Sequence, residues 1–532
     1  MASEAFDYII IGAGSSGSVL ASRLSEDPRY TVLLVESGPP DTSPLIAMPM
    51  GIGKLNAPDN PHYWHYNVAM GGNRPEEKWV KGRTLGGSSS INGMVYIRGA
   101  PADYDSWEAA GCTGWGWDTM GRCFLELENH ELGPSAHRGV GGPLHISMFK
   151  GCDPLGDAVI SAAAEAGTPT VADINDLPSV TKGGFGRQPR TIKDGKRFSA
   201  ASAFLKPARG RPNLDIVTDT DVIGIEFDGL RASGVRLSSR GAERSVGARA
   251  EIILSAGAIN SPKLLQLAGI GPISLLKSLG IEPRIDAPNV GRNLREHRTV
   301  SASYKLRTGG HNSGLGGLGL YASALRYFLA RRGVLTNSTF DVGGFVKTMP
   351  GLDRPDAQIG VGLFSFDAGG VSKHPGMTIF GYYLRPQSQG EVSIRSPDPR
   401  EAPYINANYM AAEDDRTHTI SLIRYIRRIA QQPSLAPLVL SEMHPGPAYE
   451  SDDELLEASF IFGTSGYHVA GTCRMGSDPG AVLDPQLRVR GIDGLRVVDT
   501  SIMPELVSGN TNAPAMAIGW RASELIRSTR KT

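Results

Sequence analysis

Two short stretches combine residue types and spacings suited to holding a phosphate-bearing ligand. The first is Gly12-Ala13-Gly14-Ser15-Ser16-Gly17, followed 19 residues after its last glycine by Glu36. In such a loop Gly12 permits a tight turn, Gly14 lets the backbone approach a pyrophosphate, and Gly17 lets a helix pack closely on its strand. A helix beginning there faces phosphate with free N–H groups and the positive end of its dipole. Glu36 can accept hydrogen bonds from ribose hydroxyls. The second stretch runs from Lys78 to Gly99 and contains Gly86-Gly87-Ser88-Ser89-Ser90-Ile91-Asn92. This is poor helix or strand material and predicts a loop whose amides and hydroxyls hold an anionic, hydrogen-bonding ligand.

The elements that must position these loops are legible on either side of them. Tyr8-Ile9-Ile10-Ile11 is a run for a strand buried on both faces of a parallel sheet. Val19, Leu20, Arg23 and Leu24 follow at helical spacing, and Thr31-Val32-Leu33-Leu34-Val35 is a second strand ending in Glu36. The whole is one βαβ unit, which suits NAD and FAD equally. Glu251-Ile252-Ile253-Leu254 again reads as a strand, Ser255-Ala256-Gly257 as a small-residue turn, and the residues after it as a helix with Pro262 near its start. Nucleotide-binding material therefore returns near residue 250. Between 355 and 410, pieces such as 376–384 and 390–394 are broken by Pro and Ser and predict an antiparallel sheet in a second, substrate-facing domain. The expected fold is α/β: a Rossmann-like domain over 1–155, 210–310 and 465–532, and an α+β domain over 156–209 and 311–464.

Composition narrows the function. The 532 residues hold 54 Lys plus Arg and 54 Asp plus Glu, so no global field attracts nucleic acid, and function must lie in local sites. The 66 glycines, about 12% against a usual ~7%, lack collagen periodicity and imply tight turns and close backbone approaches. Cys112, Cys123, Cys152 and Cys473 form no metal-binding spacing and are expected to be buried free thiols in a reducing compartment. No metal site is expected. The acidic N-terminus shows no signal peptide, and no apolar run approaches ~18 residues. The expected location is cytoplasmic, with room for a peripheral contact at the inner membrane.

Taken in order, the N-terminal glycine loop, the Gly86–Asn92 loop, Gly257-Ala258-Ile259-Asn260-Ser261-Pro262 and a C-terminal block resemble the glucose–methanol–choline flavoprotein oxidoreductase family over essentially the whole chain. The C-terminal block comprises Tyr467-His468-Val469-Ala470-Gly471-Thr472-Cys473-Arg474-Met475-Gly476, Arg496-Val497-Val498-Asp499 and Gly509-Asn510-Thr511-Asn512-Ala513-Pro514. Within the family the chain resembles bacterial choline-dehydrogenase-like alcohol dehydrogenases, the branch with enzymes for aliphatic alcohols and polyethylene glycol. The resemblance implies FAD, bound by Gly12, Gly14, Ser15, Ser16, Glu36, Trp64, Arg83, Gly87, Asn92, Gly93, Met94 and Val95. It also implies adenine contact through the Val222 backbone, and ribityl and flavin contact by Asp499 and the Asn512-Ala513 peptide. Some relatives attach FAD through a His where this chain has Ile91, so a covalent link is not expected here.

Alcohol oxidation by a flavin needs a proton removed from the hydroxyl and a hydride removed from the carbon. A neutral imidazole suits the first task near neutral pH. The resemblance gives that role to His468 and gives Asn512 the task of orienting the alkoxide-like oxygen. His297 also falls in a family motif and is expected to be structural. His62 and His65, around Trp64, are candidates for the entrance. The implied reaction converts a neutral or apolar primary alcohol to the aldehyde, with electrons passing to oxygen or a quinone-type acceptor. The other class of reading is an FAD scaffold with lyase or light-driven decarboxylase chemistry. Finally, Leu318, Leu320, Tyr321, Ala324, Leu325, Phe328 and Leu329 lie at helical spacing, flanked by Arg326, Arg331 and Arg332. They predict a helix packed on the core, an apolar lip over the entrance, or a weak membrane contact. Residues 44–50 read as an apolar loop near the site.

Overall fold

The computed structural model describes residues 4–151, 153–367 and 370–528. Strand Ala5–Ile11 is the centre of the first sheet. Its run Tyr8–Ile11 pairs in parallel with Val32–Val35 on one side and with Glu251–Leu254 on the other. Leu214–Val217 lies outside Val32–Val35, and Leu495–Val497 lies beside Ile252–Leu254, both parallel. Ile9, Ile10, Val32, Leu34, Ile252 and Ile253 are completely buried, as β-branched and aliphatic runs between helical layers must be. The long strand Ala242–Leu254 begins as the partner of an antiparallel meander, Asp221–Asp228 and Arg231–Ser239. Helix Ser15–Leu24 packs against the C-terminal helix Asn512–Ser528 so closely that a Cβ on Gly519 would stand 2.7 Å from the Ser16 carbonyl oxygen.

The second sheet is antiparallel, in the order Val439–His444, Arg298–Leu306, Gly376–Tyr383, Ala357–Gly362, Val342–Val346 and Gly184–Arg187. Period-two alternation divides its faces. Met377, Ile379, Ile359 and Val361 join a core with helices Pro154–Glu165 and Glu413–Ala430. Phe380, Tyr382, Gln358 and Gly360 face the cavity described below.

Three segments depart from the expected division. Arg298–Leu306, placed by sequence in the nucleotide unit, is an inner strand of the antiparallel sheet, because Val300, Ala302, Tyr304 and Leu306 complete that sheet's core. Residues Ala200 to Ala208, placed in the substrate unit, bury Phe204 and Leu205 in the nucleotide unit's core. Glu391–Ser393 forms its own two-stranded sheet with Tyr404–Asn406, tied to helix Gly257–Leu267 by Gln266 Nε2 donating to the Val392 carbonyl. Pro262 lies well inside that helix. Cys112, Cys123 and Cys473 are buried and free; Cys152 lies outside the described residues. No described helix is long and apolar enough to cross a membrane.

Candidate active site

A cavity of about 740 Å³ opens where the parallel strands end, with Ile11, Val35, Ser255 and Asp499 on its wall. That is where open α/β sheets bind ligands. Every cofactor residue expected from sequence lines it except Ala513: Gly12, Gly14, Ser15, Ser16, Glu36, Trp64, Arg83, Gly87, Asn92, Gly93, Met94, Val95, Val222, Asp499 and Asn512. Ala513 is 2% exposed and packs into the nucleotide unit's core, because the first turn of its helix directs it inward. His62 and His65 flank Trp64 without lining the cavity.

The glycine loop is built for a ligand. Gly12 has φ +100°, and a Cβ on Gly17 would stand 2.0 Å from the Gly12 carbonyl oxygen, so both positions require glycine. A Cβ on Gly14 would meet only the Ser255 carbonyl oxygen, at 3.9 Å, and one on Gly257 would meet nothing within 4 Å. The backbone thus leaves an open cradle. Helix Ser15–Leu24 starts without a side-chain cap and without an acid in its first turn, leaving its N–H groups for an anion. Glu36 accepts from the Ala13 N–H at 3.0 Å and the Gly38 N–H at 2.9 Å. Burial pushes its carboxyl up to about 7, against the pull of those bonds. The Arg83 guanidinium lies 4.7 Å from the Trp64 ring centroid. These features fit FAD: a diphosphate at the helix start, a ribose at Glu36 and a flat ring system further along the cavity.

The serine-rich loop corrects one expectation. Ser89 and Ser90 donate to the carbonyls of Gly86 and Leu85, at 2.6 and 2.7 Å, so their hydroxyls brace the loop rather than hold a ligand. Asn92 accepts from Arg197 and from the Met94 N–H.

His468 is held in a hydrogen-bonded chain with a single direction. The Leu384 carbonyl can only accept, so His297 carries its proton on Nε2, at 3.0 Å from that oxygen. Burial lowers the His297 pKa to about 4, so the ring is neutral and its Nδ1 is an acceptor. His468 Nδ1, 2.9 Å away, must then be the donor. Its Nε2 keeps a lone pair, which accepts from Asn510 Nδ2 at 2.9 Å. Beyond Asn510 the chain continues in the same sense, with Gln358 Nε2 donating to Asn510 Oδ1 at 3.0 Å and Tyr382 OH donating to Gln358 Oε1 at 2.8 Å. Burial, helped by His297 and Lys81, holds the His468 pKa well below the usual histidine range. The arrangement is a neutral imidazole whose one basic nitrogen, held by Asn510, lies at the cavity.

Glu296 fixes the backbone around it. Its carboxylate accepts from the His468 N–H at 2.8 Å and from Ser465 Oγ at 2.9 Å. Burial raises the Glu296 pKa, opposed by Lys81, whose own pKa burial lowers. Lys81 Nζ donates to the Tyr467 carbonyl at 2.7 Å. Tyr467, with φ +61°, makes the turn that directs the next side chain inward.

Two assignments move. The amide beside His468 is Asn510, whereas Asn512 accepts the Ser15 hydroxyl at 2.7 Å, at the glycine loop. The turn at Gly509, φ +115°, directs Asn510 at the imidazole before the helix begins at Asn512. His297, expected to be structural, hydrogen-bonds the His468 ring directly. Gln358 and Tyr382 carried no local sequence signal for this site, whereas Glu296 adjoins His297 in the same family motif.

Comparison with known proteins finds relatives over nearly the whole chain. The N-terminal GMC oxidoreductase family model matches residues 6–299 and the C-terminal model matches residues 386–519. The chain is 40% identical over 539 residues to an alcohol dehydrogenase [acceptor] of Pseudomonas putida, covering 98% of this chain and 95% of that protein. It is 37% identical over 535 residues to an oxygen-dependent choline dehydrogenase of Brucella ovis, with the same coverage. The crystal structure of pyridoxine 4-oxidase from Mesorbium loti superposes with a TM-score of 0.87 at 31% identity, covering 98% of both chains. Similar in sequence and in fold from end to end, the chain belongs to the glucose–methanol–choline (GMC) oxidoreductase family.

Proposed function

We propose that this chain holds FAD non-covalently and oxidises a neutral or apolar primary alcohol to its aldehyde. The observation that carries the reading is the His468 Nε2 lone pair, fixed by the bond to His297 and facing the cavity whose other wall is the glycine loop. FAD, when bound, supplies the acceptor for the hydride that leaves the carbinol carbon. Gly12, Gly14, Ser15 and Glu36 would hold its adenosine and diphosphate portion, with Asn92, Met94, Asp499 and Asn512 toward the flavin.

An arriving alcohol donates its O–H to His468 Nε2, taking the lone pair that Asn510 otherwise fills. Asn510 then donates to the alcohol oxygen, which it holds as the proton leaves for Nε2. The neutral His297 continues to accept from His468 Nδ1, so the imidazole keeps its orientation while it gains charge. The substrate class follows from the lining. Its acids are Glu36, Asp221 and Asp499, all beside the nucleotide-binding strands, whereas Lys81 lies near His468. There the Lys81 ammonium faces the buried Glu296 carboxylate, so the wall beside His468 has no unmatched negative charge to hold a quaternary ammonium. Phe340, Phe380 and Tyr382 add apolar surface.

The test is anaerobic mixing of the yellow protein with aliphatic, aryl, polyether, sugar and choline alcohols, followed by turnover with oxygen or a quinone analogue as acceptor. Bleaching by uncharged primary alcohols is expected. FAD that no alcohol bleaches would favour lyase or light-driven chemistry on the same scaffold.

A further inference from the structure

Helix Gly317–Ala330 is apolar on both sides. Leu320, Ala324 and Tyr327 face inward, onto Met48, Met50, Val334 and Leu335. The opposite stripe is Leu318, Tyr321, Leu325, Phe328 and Leu329, at 87%, 75%, 62%, 54% and 78% exposure. A helix with an apolar surface all round is normally buried, and a stripe of this kind marks a contact site. Only one of its 14 residues, Arg326, is charged, and Arg331 and Arg332 follow immediately. Residues 306–340 contain four arginines and no acid, on a chain whose formal net charge is zero. None of Arg326, Arg331 and Arg332 pairs with a carboxylate among the described residues.

We propose that this face docks on an anionic lipid bilayer surface, lying in its interface with the apolar stripe in the acyl boundary and the arginines at the headgroups. The charge decides between occupants. A two-fold dimer through the same stripe would bring like arginine clusters together, whereas phosphate headgroups complement them. The helix is also joined to the cavity on both sides. Tyr327 OH donates to the Ala47 carbonyl at 3.4 Å in the segment that leads to Ile52 and Asn56 on the cavity wall. Val334 and Leu335 lead to Thr339 and Phe340, also on that wall. Docking therefore places the mouth of the cavity at the bilayer, where apolar alcohols and lipid-soluble electron acceptors concentrate.

The test is flotation of the FAD-loaded protein with phosphatidylcholine vesicles and with vesicles that also contain phosphatidylglycerol. Binding to the anionic vesicles that weakens with salt is expected. Each arginine at such a surface is worth about fivefold in partitioning, so Arg331→Glu with Arg332→Glu should lower binding by more than about tenfold. Leu325→Glu should do the same by placing a charge in the apolar stripe. Both variants should keep their FAD and their activity on a water-soluble alcohol with an artificial acceptor. Parental protein that ignores anionic vesicles, or variants that bind as well as the parent, would overturn the proposal. A dimer in sedimentation that Leu325→Glu dissociates, without vesicle binding, would assign the face to a second copy and also overturn it. The flotation reads no turnover, so its failure is separate from failure of the alcohol-oxidising reading.

Discussion

His297 does not itself line the cavity, and replacing it by alanine removes the acceptor of the His468 Nδ1 proton together with the ring's bond to the Leu384 carbonyl and its stacking on Tyr382. In the parent that proton is fixed, because His297 Nε2 is committed to the Leu384 carbonyl and its Nδ1 has nothing to donate. Without it, a buried N–H loses its partner, at a cost of about 1–3 kcal/mol. The imidazole can recover by moving its proton to Nε2, the nitrogen that must accept from the alcohol. The same range corresponds to a fall of about 5- to 150-fold in the population of the productive tautomer, and in the rate of FAD reduction. The pH profile reads the charge state of His468. Protonated His468 cannot accept a proton, and burial with His297 and Lys81 keeps its pKa well below 6.5. Reduction by the parent should therefore stay level as pH falls through 6.5 and decline only at lower pH. His297→Asn, whose carboxamide oxygen stands near the position of Nδ1, should recover much of the rate. Stopped-flow reduction under anaerobic conditions, with bound FAD quantified beforehand, reads both effects. An alanine variant with the parental rate would refute the directed chain.

Four other outcomes follow from the site. Glu36→Ala should weaken FAD retention by about 1–3 kcal/mol, or about 5- to 150-fold in Kd, measured by titrating the apoprotein. Ile91 lines the cavity without a nucleophilic atom, so acid precipitation should leave all the yellow colour in the supernatant; colour in the pellet would contradict this. Asn510→Ala should slow FAD reduction by about 10²-fold or more, the effect of losing a donor to a developing oxyanion. Asn512→Ala should mainly loosen FAD binding, because its partner is Ser15; the reverse pattern in paired kinetic and binding assays would return the role to Asn512.

The parts of the fold written in local patterns were legible in the sequence. Gly12, Gly17 and the apolar run Tyr8–Ile11 announce a turn, a close contact and a doubly buried strand within a dozen residues. What needed the fold was pairing across distance. His297 and His468 are 171 residues apart, and their ring nitrogens meet only because Thr464–Ser465 pairs with the start of Arg298–Leu306. The Asn510-x-Asn512 pattern offers two amides of one type, and only the Gly509 turn decides which faces the imidazole. Serines beside glycines resemble ligand donors, yet Ser89 and Ser90 satisfy the carbonyls of their own loop. The stripe on Gly317–Ala330 had the right period for a core helix, and its exposure became visible only once the inward face was identified.

The central claim is that His468 removes the hydroxyl proton from an alcohol at this cavity. Its most direct test is the anaerobic rate of FAD reduction by a primary alcohol in the parent and in His468→Ala, each with full FAD content. The account predicts rapid reduction in the parent and a rate about 10²–10⁴-fold lower in the variant, without the parental decline at low pH. A His468→Ala protein that reduces its FAD at the parental rate would contradict it.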